Sequence, residues 1–155
     1  MQVRIANGLE KTQAVDILRR RWREPVIARG RTYLFDHCEI FVAGDMQGIA
    51  AVSHDEPPCM ELVAINAFSQ WQGVGSALIE AVTASARALG FEAIRLSTTN
   101  DNVDALRFYQ RRGFRLTALR PGAVDEARRL KPTISVNGQH GIPIHDELDL
   151  VRSLR

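Results

Sequence analysis

Residues 60–68 (Met-Glu-Leu-Val-Ala-Ile-Asn-Ala-Phe) form a nearly continuous apolar run, and glycines at 73 and 75 separate it from a helical pattern that begins at once. A strand apolar on both faces has to be covered on both, as in a sheet flanked by helices. Beyond the glycines, Val74, Leu78, Val82 and Ala86 recur every four residues and so share one helical face, with Gly90 placed to end a helix over 74–89. A buried strand, a tight glycine turn and an amphipathic helix in direct succession put the chain in the α/β class.

The remaining segments fit that class. Residues 2–6 alternate as a first strand, and over 10–24 the residues Ala14, Leu18 and Trp22, flanked by Val15 and Ile17, share a helical face that Pro25 ends. Residues 26–36 have no clean period and read as a loop with a short helix. Strand-like runs at 38–43 and 48–53 flank the turn residues Gly44-Asp45-Met46-Gln47. Strands follow at 91–98 and 114–119, with a helix from the N-cap Asn102 to 112 between them and Gly113 past its end. A helix at 123–130 stops before Pro132, and 147–151 reads as a last strand. The 155 residues contain no repeat or linker, so a single domain over 1–155 is expected.

A net charge of +2 argues against a polyanionic partner. The basic run Arg19-Arg20-Arg21 with Arg23 reads as a solvated helix face rather than a nucleic-acid surface, because Trp22 falls on the apolar side. Cys38 and Cys59 lie in apolar surroundings without metal-ligand spacing and read as reduced, buried thiols. With no signal pattern and no apolar run near the ~20 residues of a membrane span, a soluble cytoplasmic chain is expected, without a membrane or a metal.

The segment 70–77, Gln-Trp-Gln-Gly-Val-Gly-Ser-Ala, carries the chemistry. Glycines let the backbone approach a ligand closely, and the first turn of the helix offers unpaired N–H groups at the positive end of its dipole. Such a turn holds a pyrophosphate; the alternative is an ordinary strand-to-helix turn that uses its glycines for geometry alone. A dinucleotide fingerprint is excluded because Leu78 stands at its third glycine, and no Gly-Lys-Ser/Thr follows to make a Walker motif.

Gln70-x-x-Gly73-x-Gly75 resembles the Gln/Arg-x-x-Gly-x-Gly/Ala signature of the GNAT superfamily of acetyl-CoA-dependent N-acetyltransferases. Downstream, Asn102-x-x-Ala105-x-x-Phe108-Tyr109-x-x-x-Gly113-Phe114 resembles the second recognisable stretch of that family. Gln72 departs from the pattern, standing where an arginine is frequent, so one charge near the phosphates is missing. The resemblance implies a mixed central sheet of about six or seven strands, splayed between the fourth and fifth, with helices on both faces. It further implies acetyl-CoA as co-substrate, with Gln72, Gly73, Val74, Gly75 and Ser76 at the phosphates and Asn66, Ala67 and Phe68 along the pantetheine arm. Asn102 and Tyr109 complete the implied cofactor contacts, and a homodimer fits the fold. Asn66 has an alternative as a hydrogen-bonded core asparagine at a bulge.

Acetyl transfer to an amine needs a base for the amine and a proton for the departing thiolate. The family's pattern places Tyr109 near the sulfur, and a phenol stays protonated at neutral pH; the alternative is a packed aromatic beside Phe108. Glu61, a carboxylate between Met60 and Leu62, is the candidate base, against a strand-end glutamate paired with an arginine. His54 is a further candidate, while His37, His140 and His145 show no partner spacing. Asp101 and Asp104 begin a helix, where the dipole favours carboxylates, and Cys59 has no context that would activate it. The acceptor, a small-molecule or peptide amine, would be selected by the loops 26–36, with Arg29 and Arg31, and 123–149, where Asp146, Glu147 and Asp149 could form an acidic rim. A non-catalytic module that binds acetyl-CoA as a sensor is the alternative function.

Overall fold

A computed structural model of the chain describes residues 1–68 and 73–155. Its elements are β1 (Val3–Ile5), α1 (Gly8–Trp22), β2 (Val26–Ala28), β3 (Arg31–Tyr33), β4 (Glu39–Ala43), β5 (Gly48–Ser53), β6 (Cys59–Ala67), α2 (Val74–Ala88), β7 (Ala93–Thr99), α3 (Val103–Gln110), β8 (Arg115–Arg120), α4 (Ala123–Leu130) and β9 (Glu147–Ser153). Among the described residues, seven of these strands belong to one mixed sheet and β2 and β3 form a separate pair. The chain divides into two compact units, one of Met1–Val26, Tyr33–Ile94 and Leu154–Arg155, the other of Ile27–Thr32 and Arg95–Ser153.

In the first unit, β1, β4, β5 and β6 lie side by side in that order, each pair antiparallel. Every residue of β5 is buried, which requires cover on both of its faces. α1 packs on β4 and β6 through Ala14, Val15 and Leu18, and α2 packs on β1, β4, β5 and β6 through Val74, Leu78, Ile79 and Val82. Each such aliphatic side chain contributes about 1.5–3 kcal/mol when fully buried. α1 ends at Trp22, followed by Arg23 with φ +45° and by Pro25, which keeps Glu24 out of helical geometry. Between β5 and β6 the register passes from Ala51↔Ala64 to Val52↔Leu62, so Val63 is the extra residue of a β-bulge.

In the second unit, β9 lies between β7 and β8, and β8 and β9 run antiparallel. The stretch read from sequence as a loop with a short helix is corrected: it holds the β2–β3 pair, with a single 3-10 turn at Phe35–His37 after it. Arg29 (φ +52°) and Gly30 (φ +74°) are both left-handed, the geometry of the tightest hairpin turns. An arginine pays steric energy there. It is held by its backbone N–H, which donates to Glu147 Oε1 at 3.0 Å, and by Nη1, which donates to Ser97 Oγ at 2.6 Å.

Candidate active site

The turn expected to hold phosphates opens α2 in the first unit. Gly73 is its N-cap, with φ +68° and ψ 23°, and a Cβ built there would meet no atom within 4 Å. No side chain caps this helix and its first turn carries no acidic residue. The first turns of α3 and α4 differ, holding Asp104 in one and Asp125 and Glu126 in the other. The α2 terminus therefore presents backbone N–H groups and a positive dipole end without a carboxylate of its own. Val74 and Gly75 are buried behind the turn and Ser76 is half-buried. Gln70 and Gln72 lie outside the described residues.

Gly48 on β5 sets how closely that turn approaches the sheet. A Cβ at position 48 would overlap Val74 Cγ1 and stand 2.9 Å from Leu78 Cδ1 and 3.3 Å from the Asn66 carbonyl oxygen. Its missing side chain is what lets the first turn of α2 seat on the strand. Gly48→Ala should cost about 1–3 kcal/mol by overpacking. Chemical denaturation would measure this, and an unchanged midpoint would show that Val74 has room to shift.

At the end of β6, Asn66 uses its side chain within the protein. With its amide oxygen toward Trp22 it accepts from the indole N–H at 2.9 Å, while its amide nitrogen donates to the Ile65 carbonyl at 3.2 Å. This is the hydrogen-bonded asparagine considered from sequence, although the bulge lies at Val63 rather than here. Ala67 is half-buried and Phe68 is 38% exposed. Glu61 is 1% exposed, within β6 rather than at its end, and pairs in register with the buried Ser53. His54 Nε2 stands 3.3 Å from Glu39 Oε1, with its ring edge-on to Phe91 at 5.6 Å.

In the second unit, Asn102 is the N-cap of α3, and its side chain accepts from the Ala105 N–H at 3.2 Å. Tyr109 is buried, its ring T-shaped against Phe108 (5.2 Å) and Phe114 (5.4 Å). Burial pushes its phenol well above the ordinary range, so it carries its proton at any physiological pH. No hydrogen bond to its hydroxyl exists among the described residues, which is uncommon for a buried tyrosine.

The model of the Acetyltransferase (GNAT) family matches residues 10–114, more than half of the chain and both glycine-bearing motifs. The chain belongs to the GNAT acetyltransferase family. It is similar to the uncharacterized protein YdhI of Bacillus subtilis (strain 168), 34% identical over 147 residues, covering 92% of this chain and 91% of that protein. Its fold is that of a Bacillus subtilis acetyltransferase solved in complex with CoA (TM-score 0.72, 20% identity, 99% of each chain). It also matches a GNAT family acetyltransferase from Elizabethkingia anophelis solved with acetyl-CoA bound (TM-score 0.74, 17% identity, 98% of this chain and 97% of that one).

Several expectations for this GNAT protein change in the structure. The acids 146, 147 and 149 do not form a free rim. Asp146 accepts from the Gly122 N–H at 2.9 Å. Arg120 spans the other two, donating to Glu147 from Nε (2.8 Å) and Nη2 (2.5 Å) and to Asp149 from Nη1 (2.8 Å) and Nη2 (2.5 Å). Burial pushes Asp149 up, but hydrogen bonds from Arg120 and Ser97 outweigh it and leave the carboxyl below its usual range. The hydrogen bonds that Arg120 donates to Asp149 and Glu147 in turn raise its own pKa. His140 and His145 do have partners, Asp104 at 3.2 Å and Asp125 at 3.1 Å. Cys38 is buried and its thiol is pushed up to about 12 by burial, whereas Cys59 is only half-buried.

Within the second unit a pocket of about 420 Å³ is lined by Ile27, Arg29, Arg120, Ala127, Leu130 and Glu147 among others. It joins the two segments assigned to the acceptor from sequence. Sequence reasoning missed Gly48 and the Trp22–Asn66 bond; the signals were a glycine facing an apolar helix and a tryptophan on the inner face of α1. No helix among the described residues is long and apolar enough to cross a membrane.

Proposed function

We propose that this GNAT protein moves the acetyl group of acetyl-CoA directly to the amine of a small molecule or peptide. The observation that carries this is the glycine-capped start of α2, a helix terminus without acidic residues directly after β6, in a chain of this family. The CoA and acetyl-CoA bound to its two structural neighbours support the same ligand. Backbone N–H groups of Gly73, Val74, Gly75 and Ser76, with Gln72, would hold the pyrophosphate. Ala67, whose backbone groups point away from β5, would pair along the pantetheine, flanked by Asn66 and by Phe68, whose own N–H donates to the Gln47 carbonyl at 2.8 Å; Asn102 and Tyr109 would complete the contacts. The bound thioester supplies an activated acetyl group. Glu61 would take the proton of the attacking amine and Tyr109 would give one to the departing sulfur. The pocket lined by Ile27, Arg29 and Leu130 is the proposed seat for part of the acceptor.

Calorimetric titration with acetyl-CoA tests the ligand assignment. One-site binding is expected, and absence of binding by a folded chain would remove the reading. The base assignment makes a separate prediction. Glu61→Gln should lower the rate at neutral pH by about 10²-fold or more, and the loss should shrink at high pH where the amine arrives deprotonated. An unaltered pH–rate profile would move the role to another group, with His54 the next to test.

A further inference from the structure

The cation missing at position 72 has a replacement in α1. We infer that Arg21 is a phosphate-binding residue for CoA, an assignment that rests on the cofactor reading above. Its guanidinium carbon lies 5.0 Å from the centroid of the Phe68 ring, on the residue that follows β6 and leads toward the Gly73 turn. The cation–π contact holds the charge at that end of the strand while leaving its N–H donors in solvent. Arg21 has no hydrogen bond or ion pair among the described residues.

The arginine two residues earlier shows the contrast. Arg19 is committed to Glu24 and to Asp36, the latter at 2.7 Å, so its charge is already spent within the fold. The sequence of residues 69–72 (Ser-Gln-Trp-Gln) contains no carboxylate. The next residue, Trp22, is fixed by its indole bond to Asn66, which pins the last turn of α1 to the end of β6. A planar guanidinium held over Phe68, with no acceptor for its donors among the described residues, is able to take a phosphate oxygen at the end of β6. The arginine run read from sequence as a solvated face is therefore divided in function: Arg19 ties α1 to its own unit, and Arg21 faces the ligand end.

The test is equilibrium binding of CoA and of 3′-dephospho-CoA to the intact chain, to Arg21→Gln and to Arg20→Gln, with circular dichroism to confirm folding. Arg21→Gln should weaken CoA about tenfold and flatten the salt dependence of binding, while Arg20→Gln stays within about twofold of the parent. A loss seen with both ligands assigns Arg21 to the pyrophosphate; a loss seen with CoA alone assigns it to the 3′-phosphate. Phe68→Leu, which removes the ring that holds the guanidinium, should give a smaller loss in the same direction. Unchanged affinity in Arg21→Gln, or an equal loss in Arg20→Gln, overturns the assignment. If the parent chain itself fails to bind CoA, the cofactor reading falls and this assignment falls with it; parent binding with an unaffected variant removes the Arg21 assignment alone.

Discussion

Gly73→Asp should weaken acetyl-CoA binding by at least about 100-fold while leaving the chain folded. The substitution separates helix stability from anion binding. A side chain at position 73 meets no neighbour, and aspartate tolerates the left-handed φ of +68° better than most residues. Its carboxylate would stand near the N–H groups of the first turn, where the helix dipole favours a negative charge. Those are the donors the phosphates need, and the added charge repels them. Gly73→Asn has nearly the same shape without the charge and should lose less. Calorimetry for affinity and thermal melting for stability would read the two effects apart. Undiminished binding in Gly73→Asp would mean that the α2 terminus is an ordinary strand-to-helix turn.

Tyr109→Phe should lower kcat by about 10²-fold with little change in KM for acetyl-CoA. The change removes one hydroxyl and keeps the ring that packs on Phe108 and Phe114, so the local core should survive. Because that hydroxyl makes no hydrogen bond among the described residues, its removal breaks no bond there. The expected loss sits at the low end of the general-acid range, since a thiol of pKa near ~8.5 leaves with little help. An interaction made mainly in the transition state gives this pattern of altered kcat and retained KM. A kcat within about twofold of the parent would make Tyr109 a packed aromatic and water the proton source.

The β6–turn–α2 unit was legible because its signals are local: an apolar run, two glycines and a four-residue repeat all fall within residues 60–89. The β2–β3 pair was not. Arg29-Gly30 lacks the Asn-Gly or Asp-Gly signature of such turns, and what holds Arg29 is Glu147, 118 residues away. The acids at 147 and 149 were visible as acids, but their neutralisation by Arg120 depends on the β8–β9 pairing, which no periodicity reveals. Asn66 stood out as an amide in an apolar strand, yet its partner Trp22 lies on a helix distant in sequence. Gly48 read as the edge of a hairpin, while its closeness to Val74 and Leu78 exists only once α2 is docked.

The most direct measurement is thiol release from acetyl-CoA by the purified chain across a panel of small amines and peptides, with the products weighed by mass spectrometry. The proposed function predicts release that depends on the amine, matched mole for mole by a product one acetyl group heavier. Tight binding of acetyl-CoA with no amine-dependent release and no acetylated product would contradict it, and would identify the chain as a module that binds acetyl-CoA without turning it over.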